Sequence, residues 1–174
     1  MSRRKNFIDG VVISGGEPTL APGLPAFLIH LKEIGLQTKL DTNGLQPDVI
    51  EQLLNEDLID YLAIDVKTAP RRYPELHGLP VDISRLHRTI NLAKQLQIEV
   101  EFRTTCVPQL VAKQEIEAIG ELLRGASLWV LQQFIPDHAI LPEWRELPAY
   151  TREHMADLVR LAEPYVAHVQ LRGV

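Results

Sequence analysis

The sequence predicts an α/β protein of parallel strands joined by helices. Short β-branched runs alternate with longer amphipathic stretches, with no repeat or low-complexity linker between them. Nearly every predicted strand is apolar inside and ends in polar residues. The strands are expected at Gly10–Ser14, Gln37–Asp41, Tyr61–Val66, Glu99–Thr105, Leu128–Phe134 and Val166–Leu171. The helices are expected at Pro22–Ile34, Pro47–Leu54, Asp82–Leu96, Lys113–Leu123 and Tyr150–Ala162. At 174 residues the chain is long enough for one core and short for two, so residues 1–174 read as a single domain.

Local punctuation supports each boundary. Pro22 and Pro47 suit a first helical turn, Gly35 follows an apolar face as a stop, and Asp82 or Ser84 can cap. Ile83, Leu86, Ile90, Leu92, Ala93 and Leu96 form a stripe able to cover a sheet face.

Composition narrows the class. The chain is 45% apolar and 24% charged, with a net charge of −5, which gives no electrostatic case for nucleic acid or an anionic membrane as partner. No apolar run approaches the ~18 residues of a membrane span, and the basic opening Met-Ser-Arg-Arg-Lys-Asn lacks the apolar core of a secretory signal. The single cysteine, Cys106, excludes an intrachain disulfide and makes a cytoplasmic setting the default. It reads as a small buried filler, and Trp129 as a core residue.

Polar residues at successive strand ends carry the functional signal. Ser14-Gly-Gly-Glu17, Asp41-Thr-Asn43, Asp65-Val-Lys67, Arg103-Thr-Thr105 and Gln132-Gln133 would converge on the carboxyl rim, where parallel α/β folds place their sites. Gly15 and Gly16 let the backbone turn sharply after a buried strand and approach a ligand, and Glu17 adds a carboxylate for an ammonium group. The same segment also reads as a plain strand–helix turn, with Pro18 near the helix start. Asn43-Gly44 has left-handed turn chemistry. Asp65 and Lys67, two apart, share a strand face, where they either neutralise each other or present both charges to a ligand. By the same count Glu99, Glu101, Arg103 and Thr105 share a face, which is costly to bury unless paired or liganded.

In this order and spacing, Ser14-Gly-Gly-Glu-Pro18, Asp41-Thr-Asn-Gly44, Asp65-Val-Lys67 and Arg103-Thr-Thr105 resemble the radical S-adenosylmethionine superfamily. The wording of Asp9–Thr19 with Lys39–Gly44 is most similar to the activating proteins of anaerobic ribonucleoside-triphosphate reductase. The resemblance implies a partial (β/α) barrel whose [4Fe–4S] cluster reduces S-adenosylmethionine. The 5′-deoxyadenosyl radical then takes a hydrogen from a glycine of a glycyl-radical enzyme, here anaerobic ribonucleotide reductase. It implies cofactor contacts at Ser14, Gly15, Gly16, Glu17, Pro18, Asp41, Asn43 and Lys67, with Arg103 and Gln132 matching by strand position. It also implies a monovalent-cation site at Asp41, Thr42 and Asp65.

The departure from that pattern is equally specific. The family holds its cluster with Cys-x-x-x-Cys-x-x-Cys after a strand preceding the Gly-Gly-Glu-Pro strand, and the nine residues before Gly10 include no cysteine. The chain therefore reads as a barrel whose first βα unit is missing, inactive alone and not expected to bind the cluster. The outer edge of Gly10–Ser14 is expected to be open. Two alternatives stand beside this reading. One is a non-catalytic module binding S-adenosylmethionine or a nucleotide. The other is an unrelated barrel lyase using Lys67 as a Schiff-base residue, which ranks last because Asp65 would raise the lysine pKa.

Overall fold

The computed structural model describes residues 8–77, 80–139 and 142–174, and of His77 only the backbone. In chain order its main elements are β1 (Gly10–Ile13), α1 (Leu24–Glu33), β2 (Gln37–Thr42), α2 (Pro47–Asn55), β3 (Tyr61–Asp65) and α3 (Tyr73–His77). After these come α4 (Ile83–Ala93), β4 (Glu99–Cys106), α5 (Lys113–Leu123), β5 (Leu128–Gln133), α6 (Arg152–Ala162) and β6 (His168–Arg172). The alternation expected from the sequence is present, and every ladder described below is parallel. The chain divides into two compact units. One runs up to Asp65 and includes Ser84–Val100; the other combines Val66–Ile83 with Glu101–Val174.

In the first unit β1 pairs with β2, Gly10 opposite Gln37, and β2 with β3, Leu40 opposite Leu62. Side chains alternate across a strand. One face therefore carries Leu40, Leu62 and Ile64, all fully buried, and the other carries Lys39, Asp41, Tyr61 and Asp65. On α4, Leu86, Thr89, Ile90 and Ala93 are buried, close to the predicted stripe. Pro47 opens α2, where its missing N–H costs nothing. Gly35 closes α1 with φ 77°, its N–H on the Lys32 carbonyl. Below the sheet, Asp60 accepts from Lys32 Nζ at 2.6 Å and from Thr38 N at 2.7 Å. Burial pushes the Asp60 carboxyl up, but the Lys32 and Thr38 hydrogen bonds outweigh it and hold the group below its ordinary value.

Two local expectations need correction. The helix expected from Pro22 begins at Leu24, because Pro18 opens a separate 3-10 turn over Pro18–Leu20 and Gly23 takes the N-cap. The strand before the glycines is not buried. Val12 is 57% exposed, and among the described residues β1 has a strand on one side only. The short helix α3 has no counterpart in the sequence reading, because five residues are too few for a helical period to show.

In the second unit β4 pairs with β5, Phe102 opposite Trp129, and β5 with β6, Trp129 opposite Val169. The face with Phe102, Thr104, Cys106, Trp129 and Leu131 is closed off from solvent. Trp129 Nε1 donates to Thr104 Oγ1 at 3.0 Å, so the indole meets its one polar need inside the core. Thr151 caps α6 by accepting from His154 N at 3.2 Å. Glu115 caps α5 by accepting from Ala112 N at 3.1 Å.

Candidate functional site

The residues after β1 and β2 meet in the first unit. Gly15 and Gly16 have φ values of 95° and 53°, a region that L side chains rarely enter. A Cβ built on either meets nothing within 4 Å, and both are exposed. The turn therefore presents bare backbone to open space, as ligand approach requires. Beside it, Ile13, Ser14, Pro18, Leu24 and Phe27 line a groove of about 310 Å³.

Glu17 ties this turn to the end of β2. Its Oε1 accepts from Thr19 N at 3.2 Å, Thr19 Oγ1 at 2.6 Å and Thr42 Oγ1 at 2.7 Å. Its Oε2 accepts from Asn43 N at 2.7 Å. Thr42 Oγ1 in turn accepts from Gly44 N at 3.1 Å, and Asn43 Oδ1 from Leu45 N at 2.9 Å. Gly44 has the expected left-handed φ, 73°. Ser14, Gly15, Gly16, Glu17, Pro18, Thr42 and Asn43 thus form one continuous patch.

Asp41 and Asp65 lie on the face of β2 and β3 that also carries Lys39 and Tyr61, half-buried, while Thr42, adjacent to Asp41, points the other way toward Glu17. Lys39 Nζ sits 3.9 Å from Asp41 Oδ1 and 4.3 Å from the Tyr61 ring centroid. Among the described residues no group of three His, Cys, Asp or Glu side chains is placed to hold a metal.

The second unit holds the other predicted residues. β3 ends at Asp65, and Lys67, two residues further on, is exposed between the buried Val66 and Thr68. Lys67 N donates to Tyr73 Oη at 3.1 Å. The preceding Val66 donates to the Arg103 carbonyl at 2.8 Å and accepts from Thr104 Oγ1 at 2.7 Å, which brings the Lys67 backbone beside β4. Gln132 lies in register with Thr105 and Arg172. Glu101, Arg103, Thr105, Gln132, Gln170 and Arg172 share one face, the polar face foreseen for β4. Glu101, fully buried, is paired there with Arg172 Nη2 at 2.6 Å, and Arg103 Nη1 stands 4.0 Å from its other oxygen. Arg172, Thr19 and Tyr73 were missed by sequence reasoning. No local motif marks Arg172 or Tyr73, and Thr19, although it ends the Asp9–Thr19 segment, carries no sequence mark of its bonds to Glu17.

Cys106 closes the list. It is fully buried at the end of β4, and burial pushes its thiol up to about 12. A buried, protonated thiol is a poor metal ligand.

The alternation of parallel strands and helices, with a glycine turn at the carboxyl end of β1, is matched by the family comparison. Residues 2–123 match the radical SAM superfamily, and the chain belongs to it. Within the superfamily it is 36% identical over 173 residues to a Methanocaldococcus jannaschii protein named "Putative glycyl-radical enzyme activating enzyme", covering 97% of this chain and 72% of that one. Among solved structures it resembles a domain of pyruvate-formate lyase-activating enzyme from Bacteroides vulgatus, with a TM-score of 0.74 and 16% identity over 94% of this chain and 99% of that chain. It also resembles TYW1 with a lysine-pyruvate adduct bound, with a TM-score of 0.69 and 21% identity over 91% of this chain and 51% of that chain. The two structural likenesses bear on the fold, and they agree with the partial barrel expected from the sequence. The family implies S-adenosylmethionine and a [4Fe–4S] cluster. The Gly15–Gly16 turn fits the first, because its backbone is bare and nothing fills the space a Cβ would take. The one cysteine of this chain does not fit the second.

Proposed function

We propose that this chain is the S-adenosylmethionine-binding part of a glycyl-radical enzyme activase whose partner is anaerobic ribonucleotide reductase. The observation that carries the reading is the exposed Gly15–Gly16 turn, whose positive φ values serve a close ligand approach and have no packing reason. The activase relative supports the class. On this reading Ser14, Gly15, Gly16, Glu17 and Pro18 form the methionyl-ammonium subsite, and Asp41, Asn43 and Lys67 serve the ribose and carboxylate. Arg103 and Gln132 complete the rim. The cation reading rests on Asp41 and Asp65, since the Thr42 hydroxyl is engaged by Glu17 and Gly44. In a complete activase, S-adenosylmethionine would give the radical that takes hydrogen from a partner glycine only on one-electron reduction by an iron–sulfur cluster, which the residues of this chain do not fit. The chain's own contribution is to bind and orient. Cluster ligation lies outside what Cys106 can offer, so the 174-residue chain is inactive by itself.

Calorimetric titration of this chain with S-adenosylmethionine tests the proposal. Saturable one-to-one binding is expected, and Gly16→Val should abolish it, because a β-branched residue resists φ near 53°. Absence of binding to the unaltered chain would overturn the reading. Lys67 is exposed, which removes the dry pocket that a Schiff-base lyase would need.

A further inference from the structure

We infer that Glu17 is a positioning residue for the ligand and not its ammonium partner. Its carboxylate clasps the end of β2 and holds the Gly15–Gly16 backbone ready. The inference rests on the S-adenosylmethionine reading above and deepens it.

A carboxylate offers about four lone-pair positions, two on each oxygen. Glu17 Oε1 already serves three donors, one backbone N–H and two hydroxyls, at 2.6 to 3.2 Å. Oε2 holds the Asn43 N–H at 2.7 Å. An incoming ammonium would therefore find one position at most, on Oε2. It would have to share that oxygen with the charge-assisted bond from Asn43 N, which holds the end of β2.

The four donors come from both sides of the site. Thr19 belongs to the turn that follows the glycines, whereas Thr42 and Asn43 belong to the end of β2. One side chain thus joins two loops. The glycines between β1 and Glu17 have no side chains to anchor them, and the space where a Cβ would stand is open within 4 Å. Two residues with the widest conformational freedom need a fixed end if their backbone is to hold one shape for a ligand. Glu17 supplies that end through Thr42, which is itself buried.

A direct ammonium contact and a clasp respond differently to the same changes. Titrations would use S-adenosylmethionine and its analogue without the α-amino group, against the unaltered chain, Glu17→Gln and Thr42→Val. For a clasp, Glu17→Gln weakens both ligands by about the same factor, roughly tenfold, as the loss of a charge-assisted hydrogen bond implies. Thr42→Val, which leaves the carboxylate in place, weakens both as well. For a direct contact, Glu17→Gln erases the preference for the amino-bearing ligand and Thr42→Val leaves affinity unchanged; either result overturns the inference. Amide hydrogen exchange supplies a readout that needs no ligand and tolerates a destabilised variant. Exchange at Asn43 and Thr19 should speed up in Glu17→Gln relative to amides of the second unit. Unchanged exchange there would reject the clasp. Slow exchange at Asn43 without binding of either ligand by the unaltered chain would keep the clasp and sink the S-adenosylmethionine reading.

Discussion

Arg172, in the last strand, reaches across β5 to place Nη2 2.6 Å from Oε2 of the fully buried Glu101 in β4. A parallel sheet normally buries apolar residues on both faces; here a carboxylate is enclosed and its counter-charge comes from 71 residues away. Removing Arg172 leaves the buried carboxylate with the more distant Arg103, 4.0 Å from its other oxygen. Arg172→Ala should therefore cost about 3 kcal/mol in urea unfolding. Glu101→Gln, which keeps an acceptor for the guanidinium, should cost clearly less. Equal losses in the two variants would show that packing, and not charge, dominates at this position.

Gly120 lies in the middle of α5, where alanine would ordinarily add about 1 kcal/mol of helix propensity. A Cβ there would come within 2.4 Å of the Tyr165 ring. Overpacking of that kind costs about 1–3 kcal/mol, so Gly120→Ala should lower stability despite the better helix former. In the Tyr165→Ala background the same substitution should become stabilising. Thermal unfolding of the four proteins in the cycle gives the sign directly.

The Asp60 carboxyl is held below its ordinary value of 3.8: burial pushes it up, and the hydrogen bonds from Lys32 and Thr38 more than offset that. A group with a depressed folded pKa adds stability that is complete above the unfolded value and disappears as pH falls through the folded one. The stability gap between the unaltered chain and Asp60→Asn should therefore be flat at neutral pH and shrink below about pH 4. Because the pair is partly solvated, the gap itself should be no more than about 1 kcal/mol. Denaturant midpoints across pH 3 to 7 measure it, and a gap that widens in acid would contradict the assignment.

Cys106, with its thiol pushed up to about 12, should resist thiol reagents in the native chain and react at once in denaturant. Anaerobic incubation of the 174-residue chain with iron and sulfide should give no charge-transfer absorption. A stable visible band from this chain alone would show that other side chains can hold a cluster.

The sequence revealed what is repetitive and hid what is singular. Strand starts such as Tyr61 and the limits of α5 were legible because apolar periodicity and β-branched runs extend over many residues. The polar strand ends led to the Gly15–Gly16 turn and to the polar face of β4, where Glu101 proved to be paired. Four donors on Glu17 could not be read in advance, because two of them come from Thr42 and Asn43, at least 25 residues further along the chain, and their approach depends on the register of β1 and β2. β3 ends at Asp65, one residue before the expected limit at Val66, and β1 was expected to be buried because its residues are apolar. An apolar residue states what burial would be worth, while its neighbours decide whether burial occurs.

The division of the chain into two units has a consequence for dissection. The first unit is completed by Ser84–Val100, which follow a stretch belonging to the second, so no single cut separates them. A fragment ending at Asp65 would lose Thr89 Oγ1, which donates to the Gly44 carbonyl at 2.7 Å. It would also lose Leu86, whose Cδ1 lies 2.9 Å from where a side chain on Gly44 would begin. During synthesis the Gly44 carbonyl therefore exchanges water for the Thr89 hydroxyl only once helix α4 has formed. The first 65 residues carry the whole of the turn's own sequence, and the hydrogen bond from Thr89 arrives only after α3 and most of α4 have been translated.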